Sequence, residues 1–164
     1  MSSVLTLALD SSSQQRFELL RQQWFPPERN QIPAHLTLFH TLPETEAVAH
    51  SLRAIATATR PFHMEVSGLR SLGRGVAFFL EAPAAKALHR DLSNAFQDEL
   101  SPQDRQGFRP HVVVQNKVEP AVARETLAVL QAGFVPWRCQ AVGLDWWRYL
   151  GGPWQLLQRF AFPV

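Results

Sequence analysis

Strand-like and helix-like runs follow one another in the order β-α-β-α-β and then β-α-β-α-β-β, and in each half the second strand opens on a histidine. A chain that repeats its element order in this way is read as a duplicated βαβ-type unit, and that reading restricts it to folds with two equivalent halves. Residues 4–9 form the first apolar strand. Ser11, Ser12 and Ser13 offer N-caps for a helix through Trp24, with Phe17, Leu20 and Trp24 on one stripe, and Pro26-Pro27 ends it. A strand over 34–39 and a helix over 45–59, its apolar face made by Val48, Leu52 and Ile55, complete the unit. Strands over 62–69 and 76–81 flank Gly73-Arg74-Gly75, a natural hairpin turn.

In the second half a helix over 84–100 turns Leu88, Leu92, Ala95 and Phe96 inward, and the polar stretch 101–108 is a loop leading to a strand over 111–118. Pro120 suits the first turn of a helix that stops near Gly133. Two last strands, 138–150 and 154–162, turn at Gly151-Gly152-Pro153. The expected architecture is therefore an α+β single domain over 1–164, built as two similar βαβ-type lobes, approximately 1–72 and 73–164. Antiparallel-rich sheets surround a central cleft. If the lobes pack about a pseudo-two-fold axis, their equivalent strands converge on that cleft. A doubly wound parallel sheet is the alternative, but Asp10-Ser11-Ser12-Ser13 stands where such a fold carries its glycine-rich phosphate loop.

Composition narrows the class further. The 164 residues are 46% hydrophobic, enough for an unaided core, and the single cysteine, Cys139, excludes internal disulfides and cysteine-rich zinc frameworks. A net charge of +2 without any basic run argues against tight binding to duplex DNA. The apolar stretch at the N-terminus is short and lacks a basic leader, which predicts a cytoplasmic protein without a membrane span.

Pro33-Ala34-His35-Leu36-Thr37-Leu38 and Arg109-Pro110-His111-Val112-Val113-Val114 are the two segments that carry chemistry. Alternate residues of a strand share a face, so His35 points with Thr37, and His111 with Val113 and Gln115. His40, an odd number of residues from His35, falls on the opposite face, and His50, His63 and His89 belong to no partner pattern. Trp146, Trp147, Tyr149 and Trp154 cluster in the last hairpin and read as sheet packing, with room for one ring at the cleft edge to stack on a nucleobase.

This pair of segments resembles the His-x-Thr/Ser-x motifs of the two-histidine (2H) phosphoesterase superfamily, and the wider strings PAHLTLFHTLP and FRPHVVVQNKV look like its bacterial 2′-5′ RNA ligase family branch. The first copy, His35-Leu36-Thr37-Leu38, matches fully. The second keeps His111 and the apolar positions but has Val113 where the family has a hydroxyl. The resemblance implies that His35 and His111 share general acid and base work on a 2′,3′-cyclic phosphate or a 2′-5′ linkage, in an RNA end or small nucleotide, with no metal or other cofactor. It implies further that Thr37 donates to a phosphoryl oxygen, a task Val113 cannot perform. Losing one such donor costs roughly 3 to 4 kcal/mol of transition-state stabilisation unless another group replaces it. Gln115 and Arg109 are the candidates that spacing offers. Without a replacement, the scaffold becomes a weak enzyme or a nucleotide-binding module.

Overall fold

The computed structural model describes residues 2–164. Its elements are β1 (Ser2–Leu9), α1 (Ser11–Trp24), a short 3-10 turn (Pro27–Arg29), β2 (Leu36–Pro43), α2 (Glu46–Thr57), β3 (Phe62–Ser71), β4 (Val76–Glu81), α3 (Pro83–Ala95), β5 (His111–Gln115), α4 (Pro120–Ala132), β6 (Trp137–Tyr149) and β7 (Trp154–Ala161). No helix among the described residues is long and apolar enough to cross a membrane.

Local chemistry explains most of the boundaries. Asp10, rather than one of the serines, caps α1: its carboxylate accepts from the Ser13 backbone N–H and from the Ser12 hydroxyl. A carboxylate also complements the positive end of the helix. Thr45 caps α2 by accepting from the Val48 N–H, and proline fills the first turn of α3 and α4. The α3 helix stops at Ala95, short of the expected residue 100, and Phe96 sits edge-on against Phe39 at 6.0 Å. The last hairpin turns at Gly151, whose φ of 87° favours glycine.

All pairings are antiparallel, and they join the seven strands into one sheet of order β2-β1-β6-β3-β4-β5 with β7 paired to β6. The α+β class with antiparallel sheets is therefore the observed one, and the parallel alternative is not. The expected lobe division near residue 72 falls inside the β3–β4 hairpin. The chain instead exchanges strands: β6, late in sequence, pairs with β1, while β3, early in sequence, pairs with β4 and β6. One group is thus β2-β1-β6-β7 and the other β3-β4-β5. The 13-residue β6 is long enough to run through both.

The helices pack against both groups around one core, with α3 reaching β3. Leu5, Leu7, Leu36 and Phe39 lie within the core, with α2 against β6 and β7 and the α3 ring of His89 stacked on Phe39 at 4.6 Å. In the second group Phe78 meets Phe17 of α1 at 5.8 Å, and α4 covers β3 and β4. Although β2 and β5 end the sheet order at opposite edges, they approach within 8 Å between Cα atoms. The sheet bends back on itself, and the two histidine-bearing edges meet.

Candidate active site

Both histidines enter their strands in the same way. His35 directly precedes β2 and His111 opens β5, and each Nδ1 lies against the carbonyl two residues earlier, at 2.8 Å from Pro33 and 2.7 Å from Arg109. A carbonyl only accepts, so Nδ1 carries the proton and the neutral ring keeps Nε2 as its free acceptor. Neither Nε2 has a protein hydrogen-bond partner among the described residues. Aromatic rings set the tilt: Trp154 lies 4.7 Å from the His35 ring, and Phe79 stacks on His111 at 5.1 Å and 17°.

The backbone before each histidine is held as well. The Ala34 N–H donates to the Glu18 carboxylate and its carbonyl accepts from Gln14 Nε2 at 2.8 Å, so α1 grips the peptide that leads into His35. Before His111, the Pro110 carbonyl accepts from Leu80 of β4 at 3.0 Å. Thr37 is half-buried and lies opposite Thr6, which lies opposite Asp145, which lies opposite Arg159. Directly paired residues share a side of the sheet, so these four form a row. The row is rigid: Trp147 Nε1 donates to Thr6 at 2.9 Å, and Arg159 binds Asp145 through two bonds of 2.6 and 2.8 Å.

Val113 continues the His111 side of β5, as period two requires, but Gln115 does not. Ala77 pairs with Val113 and Val76 with Gln115, so Val114 is an extra residue on β5, a bulge that reverses the alternation beyond it. Gln115 is therefore buried on the α4 side, where its amide donates to the Thr126 hydroxyl at 2.7 Å. As a replacement for the missing hydroxyl it is excluded by position. Arg109 lines a cavity with Arg70, Phe79 and Lys86 whose lining includes neither His35 nor His111.

The cavity that contains His35 is a different one, of about 340 Å³. His35, Val113 and Trp154 line it, together with Arg21, Arg29 and Lys117. Trp154 is the hairpin ring at the cavity edge, one of the four aromatics that the sequence grouped there, whereas Arg21 carries no signature in sequence that separates it from a surface residue. His40, by contrast, is tethered to Asp104 at 3.0 Å, and His89 is sandwiched between Phe39 and Phe108, so neither joins the site.

The His35 ring is enclosed by neighbours on nearly every side while its edge meets the cavity. Burial pushes its pKa down to about 4; the Pro33 carbonyl opposes this, and the charges of Arg21 and His111 add to it. His35 is consequently neutral at pH 7. The same shift has a consequence for stability. Between pH 6.5 and about 4 the unfolded chain binds a proton at this residue that the folded chain refuses, so stability falls as pH falls through that window. The expected loss between pH 7 and pH 4.5 is about 2 kcal/mol relative to a His35→Asn variant. Urea titrations of both proteins at pH 7 and pH 4.5 measure it. Parallel losses in the two would remove His35 as the cause.

A family model of the 2′-5′ RNA ligase superfamily matches residues 9–153. No curated protein sequence matches the chain. Among solved structures, TT0787 of Thermus thermophilus superposes with a TM-score of 0.71 at 16% identity, covering 99% of this chain and 98% of that one. Escherichia coli LigT complexed with 3′-AMP gives a TM-score of 0.62 at 19% identity over 99% and 98% of the two chains. At such identities the likeness establishes the fold alone, and it agrees with the sheet and helix arrangement described above. The family match extends over both histidine strands: this chain belongs to the 2′-5′ RNA ligase superfamily of two-histidine phosphoesterases.

Proposed function

We propose that the protein opens 2′,3′-cyclic phosphates, or cleaves 2′-5′ linkages, in RNA ends or small nucleotides by two-histidine acid–base catalysis. The observation that carries this reading is the matched anchoring of His35 and His111, each with Nδ1 tied to its own backbone and Nε2 free, on two edge strands that meet. His35, held neutral by its surroundings, takes a proton from water. The water oxygen bonds to phosphorus, and the bond from phosphorus to one ribose oxygen breaks. His111 in its protonated form gives that oxygen a proton, leaving a phosphomonoester. Water has then lost one proton and the ribose oxygen has gained one, so the pair finishes with its protons exchanged and is reset through solvent. Thr37, two residues from His35 on the same side of its strand, donates to a phosphoryl oxygen. The 3′-AMP held by LigT, which shares the fold, supports a nucleotide as the substrate class.

A substrate panel tests the proposal. Nucleoside 2′,3′-cyclic phosphates and 2′-5′-linked dinucleotides are expected to turn over, with 3′-5′-linked dinucleotides inert, and the retained phosphate position is read by phosphorus NMR. Binding of cyclic nucleotide without turnover of any member would replace the enzyme by a nucleotide-binding module.

A further inference from the structure

Arg21 occupies a position that an amphipathic helix reserves for an apolar residue. Ser13, Phe17 and Arg21 are the buried residues of α1, spaced four apart on its core-facing stripe, and Arg21 is only 2% exposed. Its guanidinium is held on three sides. Nε donates to Asn30 Oδ1 at 3.0 Å, Nη1 donates to the Val113 carbonyl at 3.0 Å, and the Phe25 ring lies beneath it at 4.2 Å. Those two bonds use two of five N–H donors. No carboxylate pairs with it among the described residues. Glu18 is near enough to act on its charge, but that carboxylate accepts from the Ala34 N–H and from Gln14.

Burying a cation without a counter-ion costs several kcal/mol, so such a group persists where an anion completes it. Arg21 lines a cavity together with His35 and Val113. Its contact with the carbonyl of Val113 sets the remaining donors beside the residue whose side chain lacks the second hydroxyl. We infer that Arg21 binds a non-bridging phosphoryl oxygen of the substrate and replaces the donor that Val113 cannot supply. This rests on the phosphoesterase reading for the identity of the anion, although not for its existence. A guanidinium fits the role because it stays charged and presents its donors as a planar fork suited to phosphate. Arg29 and Lys117 on the same cavity wall add to the attraction for an anion.

A double-mutant cycle on cyclic-nucleotide turnover separates this role from a structural one. Arg21→Gln is expected to lower kcat/KM by about 10²- to 10³-fold. Val113→Thr, which restores the hydroxyl, is expected to raise the rate at least tenfold more in the Arg21→Gln background than in the wild type. Equal gains in both backgrounds, or an Arg21→Gln enzyme within threefold of wild type, would overturn the inference. Arg21→Lys guards against misfolding, since it keeps the charge. Inorganic phosphate titrated by calorimetry should bind it at least tenfold more weakly than wild type at matched melting temperature, and equal affinity is a negative result. A wild-type protein that binds phosphate through Arg21 but turns nothing over defeats the proposed function and leaves the anion site. Turnover indifferent to Arg21 does the reverse.

Discussion

His35→Ala is expected to lower turnover of a 2′,3′-cyclic nucleotide by about 10²- to 10⁴-fold, and His111→Ala by a similar factor, which is the usual worth of a positioned acid or base. The loss should fall on kcat with little change in KM, because proton transfer is an interaction of the transition state rather than of the bound ground state. The pH profile gives a sharper signature than the size of the loss. His35 must be neutral to accept a proton, and its pKa is pushed down to about 4, so kcat/KM should hold until pH falls through that value. An unperturbed histidine would give the acid limb near 6.5. Removing His35 should abolish the limb in whatever activity remains. If both alanine variants kept wild-type rates, acid–base work by this pair would be ruled out.

The pair itself was legible in the sequence because strand periodicity is local: two residues per repeat is enough to put His35 with Thr37 and His111 with Val113. What escaped the sequence was set by non-local geometry. A single extra residue, Val114, breaks the alternation on β5 and carries Gln115 to the α4 side, and nothing in Val112-Val113-Val114 marks which valine bulges. The exchange of β3 and β6 between the two strand groups likewise leaves no trace in element order, since it depends on which distant edges pair. Arg21 was hidden for another reason. Arginine on a helix normally faces solvent, and only the placement of α1 between the Ala34 peptide and the β5 edge shows that this one is buried beside the site.

Gly75→Ala should destabilise the protein by about 3 kcal/mol or more, a larger effect than most single substitutions produce. A Cβ at this position would lie 1.9 Å from the Gln115 carbonyl oxygen, 2.6 Å from its carbon and 2.7 Å from Asn116 Cα. All three atoms are backbone, so no side-chain rotation relieves the clash and the end of β5 must move. Gly73, in the same turn, is the control: its φ of 86° makes alanine strained, but a Cβ there meets nothing within 4 Å. Gly73→Ala should therefore cost only about 1 to 2 kcal/mol. The difference reaches the site because β5 is an edge strand whose ladder runs along β4 alone, and Val76 against Gln115 is the pair next to the clash. Pushing that end outward disturbs the bulge that turns Gln115 inward and, with it, the Val113 carbonyl on which Arg21 is anchored. Urea denaturation of both variants, alongside turnover of the folded fraction, tests each step. A Gly75→Ala protein as stable as Gly73→Ala would mean that β5 yields freely at this point, and the rigidity assigned to the second histidine strand would not hold.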